Sequence, residues 1–119
     1  VRLVLSFDID GTLEIGDPPG PVLLATIRKA HDLGHVIGSC SDRPISHQED
    51  LWREHRLPMD FVALKTHLPA IRERFGAAGY YHIGDTDVDR HYATVAGFIY
   101  MPPDLSAVLE LLAYHHSSP

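Results

Sequence analysis

Two aspartates one residue apart end the first apolar run of the chain, in Phe7-Asp8-Ile9-Asp10-Gly11-Thr12-Leu13. Carboxylates held this close resist joint ionisation. A divalent cation relieves that repulsion, and a hard, oxygen-ligated ion such as Mg²⁺ suits carboxylate donors best. Other apolar runs also end in polar residues: Ser41 with Asp42 and Arg43, then Lys65, then Asp85 with Asp87 and Asp89. Carboxylates, a hydroxyl and a lysine form the inventory for phosphoryl transfer. That chemistry asks for charge neutralisation, positioning and an in-line nucleophile.

These residues need a scaffold that gathers them. Arg2 to Ile9 is apolar enough for a strand buried on both faces. Glu14 to Pro21, rich in Gly and Pro, reads as a loop. The spacing of Leu23, Ile27, Ala30 and Leu33 predicts a helix over Val22 to Gly34. His35 to Ser41 is the second expected strand, and Ile45 to His55 a helix with Leu51 and Trp52 inward. Asp60 to Leu64 is a third strand. Thr66 is the expected N-cap of a helix to Phe75, with Pro69 in its first turn. Tyr80 to Ile83 is a fourth strand. A helix over Thr86 to Ala96 carries Val88, Tyr92 and Val95 on one face. Phe98 to Met101 is a fifth strand, and Leu105 to His115 a helix with Leu105, Val108, Leu109 and Leu112 inward. Strands alternating with helices predict an α/β class fold: a three-layer α/β/α sandwich, Rossmann-like, around a five-stranded parallel sheet. Ligands of such sheets bind beyond the carboxyl ends of the strands, where the polar residues above fall.

Composition narrows the function classes. With 119 residues, residues 1–119 are expected to form one domain. The net charge of −6 disfavours nonspecific capture of nucleic acid. No apolar run is long enough to span a membrane. A single cysteine, Cys40, allows no internal disulfide, and no signal-peptide pattern precedes the first strand; a cytoplasmic setting is the expectation.

With these motifs in place, the chain resembles the haloacid dehalogenase-like (HAD) superfamily of aspartate-nucleophile phosphohydrolases. Asp8-Ile9-Asp10-Gly11-Thr12 matches that family's DxDGT motif, and Gly84-Asp85-Thr86-Asp87-Val88-Asp89 matches its GDxxxD motif. Ser41, ending the second expected strand, is similar to its Ser/Thr motif, and Lys65 to the lysine that precedes a helix. The resemblance implies that Asp8 is the nucleophile and forms an aspartyl-phosphate. It implies that Asp10 protonates the leaving group and then activates water. Ser41, Lys65, Gly11 and Thr12 would bind phosphate. Mg²⁺ would be held by Asp8, the backbone carbonyl of Asp10 and Asp85, with Asp89 a ligand through water or a support. An acid/base residue at Asp10 favours hydrolysis of the intermediate. Ser39 is an alternative to Ser41, and Asp87 an alternative to Asp89.

The intervals Asp8–Ser41 and Ser41–Lys65 hold no cap domain, so the resemblance is to the minimal, capless type. An open site suits a large phosphorylated substrate, a protein, a glycan or a polynucleotide end, or else is closed by a partner copy in an oligomer. The expected function is a Mg²⁺-dependent phosphatase. A phosphotransferase or mutase using the same intermediate, or a noncatalytic phosphate-binding module, are the alternatives. A receiver domain does not fit, because its phosphorylated aspartate would end the third strand, where Leu64-Lys65 stand.

Several residues have a plain structural role as the competing expectation. Cys40 is expected to be a buried apolar residue. Arg43 is as readily a surface ion pair as a substrate contact. The nine histidines lack zinc-ligand spacing and are expected on surfaces or helix faces, with His47 the one beside the site. Trp52, Tyr80 and Tyr81 are expected in the core.

Overall fold

The apolar runs become five parallel strands in the computed structural model, which describes residues 1–116. They are β1 (Leu3–Phe7), β2 (Val36–Ser41), β3 (Phe61–Leu64), β4 (Gly79–Ile83) and β5 (Ile99–Met101). The helices are α1 (Leu24–Asp32), α2 (Ile45–Glu54), α3 (Leu68–Arg74), α4 (Asp87–Ala96) and α5 (Leu105–His116). Strand order is β3-β2-β1-β4-β5, every neighbouring pair parallel. All of β1 and β2 is buried, as expected for strands covered on both faces.

Side-chain alternation sorts the core into two layers. Leu3, Leu5, Phe7 and Ile37 pack with Ile27 and Ala30 of α1, Trp52 of α2 and Val108 and Leu112 of α5. Val4, Cys40 and Ala63 pack on the other face with Leu68 and Ile71 of α3 and Ala93 and Ala96 of α4. The result is a three-layer α/β/α fold of the Rossmann-like kind. The chain leaves β1 towards one face and β4 towards the other, and these strands are neighbours. Between their carboxyl ends lies the topological switch point, the ligand crevice of open α/β sheets.

Several local expectations are corrected. The helix expected from Val22 starts at Leu24, because Val22 is held in an extended bridge with Leu13. The Glu14 carboxylate then accepts the Leu24 N–H at 2.7 Å and caps the helix from the preceding loop, leaving Leu23 exposed. Thr66 is not an N-cap. It lies in a 3₁₀ turn, Lys65–His67, that buries Lys65 before α3 begins, and Pro69 occupies the first turn of α3.

The inner face of α4 is not Val88, Tyr92 and Val95 but Asp89, Ala93 and Ala96; Val88 and Val95 are exposed. The polar anchor decides the rotation of this helix. Thr86 and Asp89 form a reciprocal capping box that draws the carboxylate inward, and the two alanines allow close packing on the sheet. In α5, Val108 and Leu112 are buried, but Leu109 faces solvent. Trp52 is in the core as expected, while Tyr80 and Tyr81 are half-buried.

Candidate active site

The site is built on the carboxyl ends of β1 and β4. Asp8 directly follows β1, and its N–H donates to the Ile83 carbonyl at 2.9 Å, so its backbone is fixed by the end of β4. The chain then turns sharply at Gly11, whose φ is +75°. A Cβ there would lie 1.9 Å from Asp85 Oδ2. The β1 turn and the Asp85 carboxylate therefore occupy the same small space, and only glycine permits it. Gly84 plays the same part for Asp89, whose Cγ would lie 2.2 Å from an added Cβ.

Carboxylate oxygens of Asp8, Asp85 and Asp89 all lie within 4.8 Å of one another. Asp8 and Asp89 are buried and Asp85 is exposed. Asp89, not Asp87, joins this group; Asp87 is an exposed residue in the first turn of α4. An all-oxygen, acidic donor set open to solvent on one side fits a hard divalent cation that keeps waters in its shell.

Lys65 completes the cluster. Its Nζ is 3.3 Å from Asp89 Oδ1, 3.4 Å from Asp42 Oδ2 and 3.6 Å from Asp8 Oδ2, and its side chain is 5% exposed. Burial opposes its charge, but Asp8, Asp89 and Asp42 outweigh that and hold the ammonium above its usual pKa. Asp8 is shifted the other way. Burial, followed by the Asp89 charge, pushes its carboxyl up to about 7 against the attraction of Lys65. Asp89 is held low despite its burial, by the His82 hydrogen bond and then Lys65.

Beneath Asp89 runs a polar chain that sequence reasoning missed. His82 Nε2 lies 2.8 Å from Asp89 Oδ1, and His82 Nδ1 lies 2.8 Å from Ser6 Oγ, all of it buried. With Nε2–H donating to the carboxylate, Nδ1 of the neutral ring accepts the serine hydroxyl. Thr86 donates its hydroxyl to Asp89 Oδ2 at 2.9 Å. Asp89 is thus saturated from below. The sequence carries one signal for this: Ser6 and His82 are polar residues inside apolar runs, each two residues before a motif residue, Asp8 and Gly84, and the structure pairs them in register. His47, the histidine singled out by position, is instead exposed on α2.

Asp10 stands apart from the three-carboxylate group. Arg43 grips it with Nε on Oδ2 at 3.1 Å and Nη2 on Oδ1, and the Asp17 N–H donates to Oδ1 at 2.8 Å. The guanidinium, more than any other group, lowers the Asp10 pKa. The repulsion expected between Asp8 and Asp10 is therefore answered on the Asp10 side by an arginine. Of the two serines, Ser39 is committed to α2: it donates to Gln48 Oε1 at 2.7 Å and accepts the Trp52 indole N–H at 2.9 Å. Ser41 accepts the Arg43 N–H at 3.1 Å, in the loop that carries Arg43 to Asp10. Thr12 is fully buried and its hydroxyl has no hydrogen-bond partner among the described residues. Cys40 is buried, and burial pushes its thiol up to about 12, which suits core packing and not nucleophilic attack.

The chain matches no protein-family model and no curated protein. Among the described residues no helix is long and apolar enough to cross a membrane.

Proposed function

We propose that the chain is a Mg²⁺-dependent phosphatase of HAD type, hydrolysing a phosphomonoester through an aspartyl-phosphate on Asp8. The observation that carries this reading is the meeting of Asp8, Asp85 and Asp89 with the Lys65 ammonium at the switch point of a parallel sheet. Asp8, Asp85 and the backbone carbonyl of Asp10 would hold the ion, with Asp89 as its support. When bound, Mg²⁺ supplies positive charge to the phosphoryl oxygens and favours ionised Asp8.

The chain's own residues do the rest. The Asp8 carboxylate attacks phosphorus, and the bond from phosphorus to the leaving oxygen breaks. The Asp10 carboxyl gives that oxygen its proton. The Asp10 carboxylate then takes a proton from water as the water oxygen attacks phosphorus. The Asp8–phosphorus bond breaks, and free Asp8 and inorganic phosphate result. Lys65 and Ser41 neutralise and orient the phosphoryl oxygens, assisted by the turn at Gly11 and Thr12. His82 and Thr86 keep Asp89 ionised and still. The open edge above these groups suits a bulky phosphomonoester or closure by a second copy, and the lone buried thiol accords with a cytoplasmic setting.

The test is release of inorganic phosphate from p-nitrophenyl phosphate. Activity that needs Mg²⁺ and is lost in Asp8→Asn supports the reading. No release with Mg²⁺ present, or release that survives Asp8→Asn, overturns it.

A further inference from the structure

Asp10 is not free for either of its roles in the arrangement just described. Its Oδ1 accepts from Arg43 Nη2 and the Asp17 N–H, its Oδ2 accepts from Arg43 Nε, and the guanidinium stands across the carboxyl group. A leaving-group oxygen has to reach Asp10 to receive a proton, so Arg43 must yield. Its backbone is not free to do so: its N–H is bound to Ser41 Oγ, and its carbonyl accepts Gln48 Nε2 at 2.8 Å. Gln48 is fully buried and also donates to the Ala63 carbonyl. The Arg43 side chain, 21% exposed beside an Asp10 that is 37% exposed, is the part that reaches solvent.

We propose that Arg43 selects a phosphomonoester with a carboxylate on its leaving group, which takes the guanidinium over from Asp10. This rests on the phosphatase reading above. Geometry fixes the place: a residue in bidentate contact with the acid/base lies beside the atoms bonded to the leaving oxygen. Chemistry fixes the partner, because the fork already holds a carboxylate and a second carboxylate replaces it without loss of either hydrogen bond. A neutral leaving group offers no such exchange and leaves Arg43 on Asp10. Lys65 cannot take this role, since it is buried among Asp8, Asp42 and Asp89. Elsewhere around the site the exposed Asp42, Asp85 and Asp87 would repel a substrate carboxylate.

Phosphoglycolate and ethyl phosphate differ by a carboxylate in place of a methyl group and form the test pair. With Mg²⁺, the wild type should favour phosphoglycolate in kcat/KM on the order of 10-fold to 100-fold, the worth of a charged hydrogen-bond pair. In Arg43→Ala that ratio collapses towards one: phosphoglycolate loses kcat/KM, mainly through KM, while ethyl phosphate gains in kcat. Arg43→Lys, which keeps the charge but not the fork, falls between. Circular dichroism and melting curves establish that the variants fold; should Arg43→Ala not fold, the Arg43→Lys ratio decides. A wild-type ratio near one, a ratio the same in wild type and variant, or a parallel fall for both esters overturns the proposal. If p-nitrophenyl phosphate is hydrolysed while the pair is not discriminated, the Arg43 inference alone fails. If no ester is hydrolysed, the phosphatase reading fails and takes this inference with it.

Discussion

His82 and Asp89 form a hydrogen-bonded pair of 2.8 Å, with neither side chain exposed to solvent. The pair lies beneath the candidate site and fixes the carboxylate to which Lys65 also points. Removing the imidazole takes one hydrogen bond from the buried Asp89 carboxylate and leaves the Ser6 hydroxyl without its partner. His82→Ala should therefore destabilise the fold by about 1–3 kcal/mol in urea unfolding. His82→Gln, which can still donate to Asp89, should recover part of that loss. Equal stability for His82→Ala and wild type would show that the pair contributes nothing.

The raised pKa of Asp8 links the site to stability. Its folded value, about 7, lies above the ordinary 3.8. The folded state thus holds the proton more tightly, and the group's contribution is fully present below the ordinary value and lost as pH rises through about 7. Ionised and without a cation, Asp8 costs on the order of 4 kcal/mol. Asp8→Asn should stabilise the metal-free protein at about pH 8 and much less at about pH 4. Mg²⁺ should raise the Tm of the wild type at about pH 8 more than that of Asp8→Asn. Thermal melts with chelator and with Mg²⁺ read both effects; a destabilised Asp8→Asn at the higher pH contradicts the assignment.

At the opposite end of the strands, His35 is buried, accepts the Leu3 N–H on Nδ1 at 3.0 Å, and leaves Nε2 without a partner among the described residues. Burial, followed by the charge of His115, lowers its pKa from 6.5. A lowered histidine gives stability that is present above the unfolded value and lost as pH falls from about 6.5 towards the folded value. His35→Asn retains an acceptor for Leu3 and cannot titrate. Urea midpoints measured across this range should fall less steeply with acid in the variant. Identical slopes would remove His35 from the acid response.

Gly11 should tolerate no side chain. Its positive φ alone makes alanine costly by about 1–2 kcal/mol, and the clash with the Asp85 carboxylate adds to that. Gly11→Ala is expected to weaken the Mg²⁺-induced rise in Tm as well as stability, because relief of the clash displaces Asp85. A variant with the wild-type response to Mg²⁺ would mean that Asp85 does not hold the ion.

Much of this was legible in the chain. The runs Arg2–Ile9, His35–Ser41, Asp60–Leu64, Tyr80–Ile83 and Phe98–Met101 marked five strands, since near-continuous apolarity has few other uses in a chain of alternating elements. The residues after them marked the edge where Asp8, Lys65, Asp85 and Asp89 meet. What could not be read was the answer to each charge. The stripe Val88, Tyr92, Val95 suggested an inward face of α4, yet Asp89 turns inward, because a capping box and a buried histidine outweigh a few apolar contacts. Helical periodicity counts only apolar residues and misses a polar anchor. The sequence does not decide the role of Arg43, because its partner Asp10 is distant in the chain and the loop that carries Arg43 is held by Gln48, a buried residue among the mostly exposed polar residues of α2.

The most direct test of the central claim is to look for phosphate on Asp8 itself. p-Nitrophenolate leaves without a proton, so Asp10→Asn still permits the first step while slowing attack by water. Acid quenching of that variant during turnover with Mg²⁺, followed by peptide mass spectrometry, should find a phosphoryl group on Asp8 and none in the Asp8→Asn/Asp10→Asn double variant. Release of p-nitrophenol with no phosphoryl group on Asp8, or the group on another residue, would contradict the account.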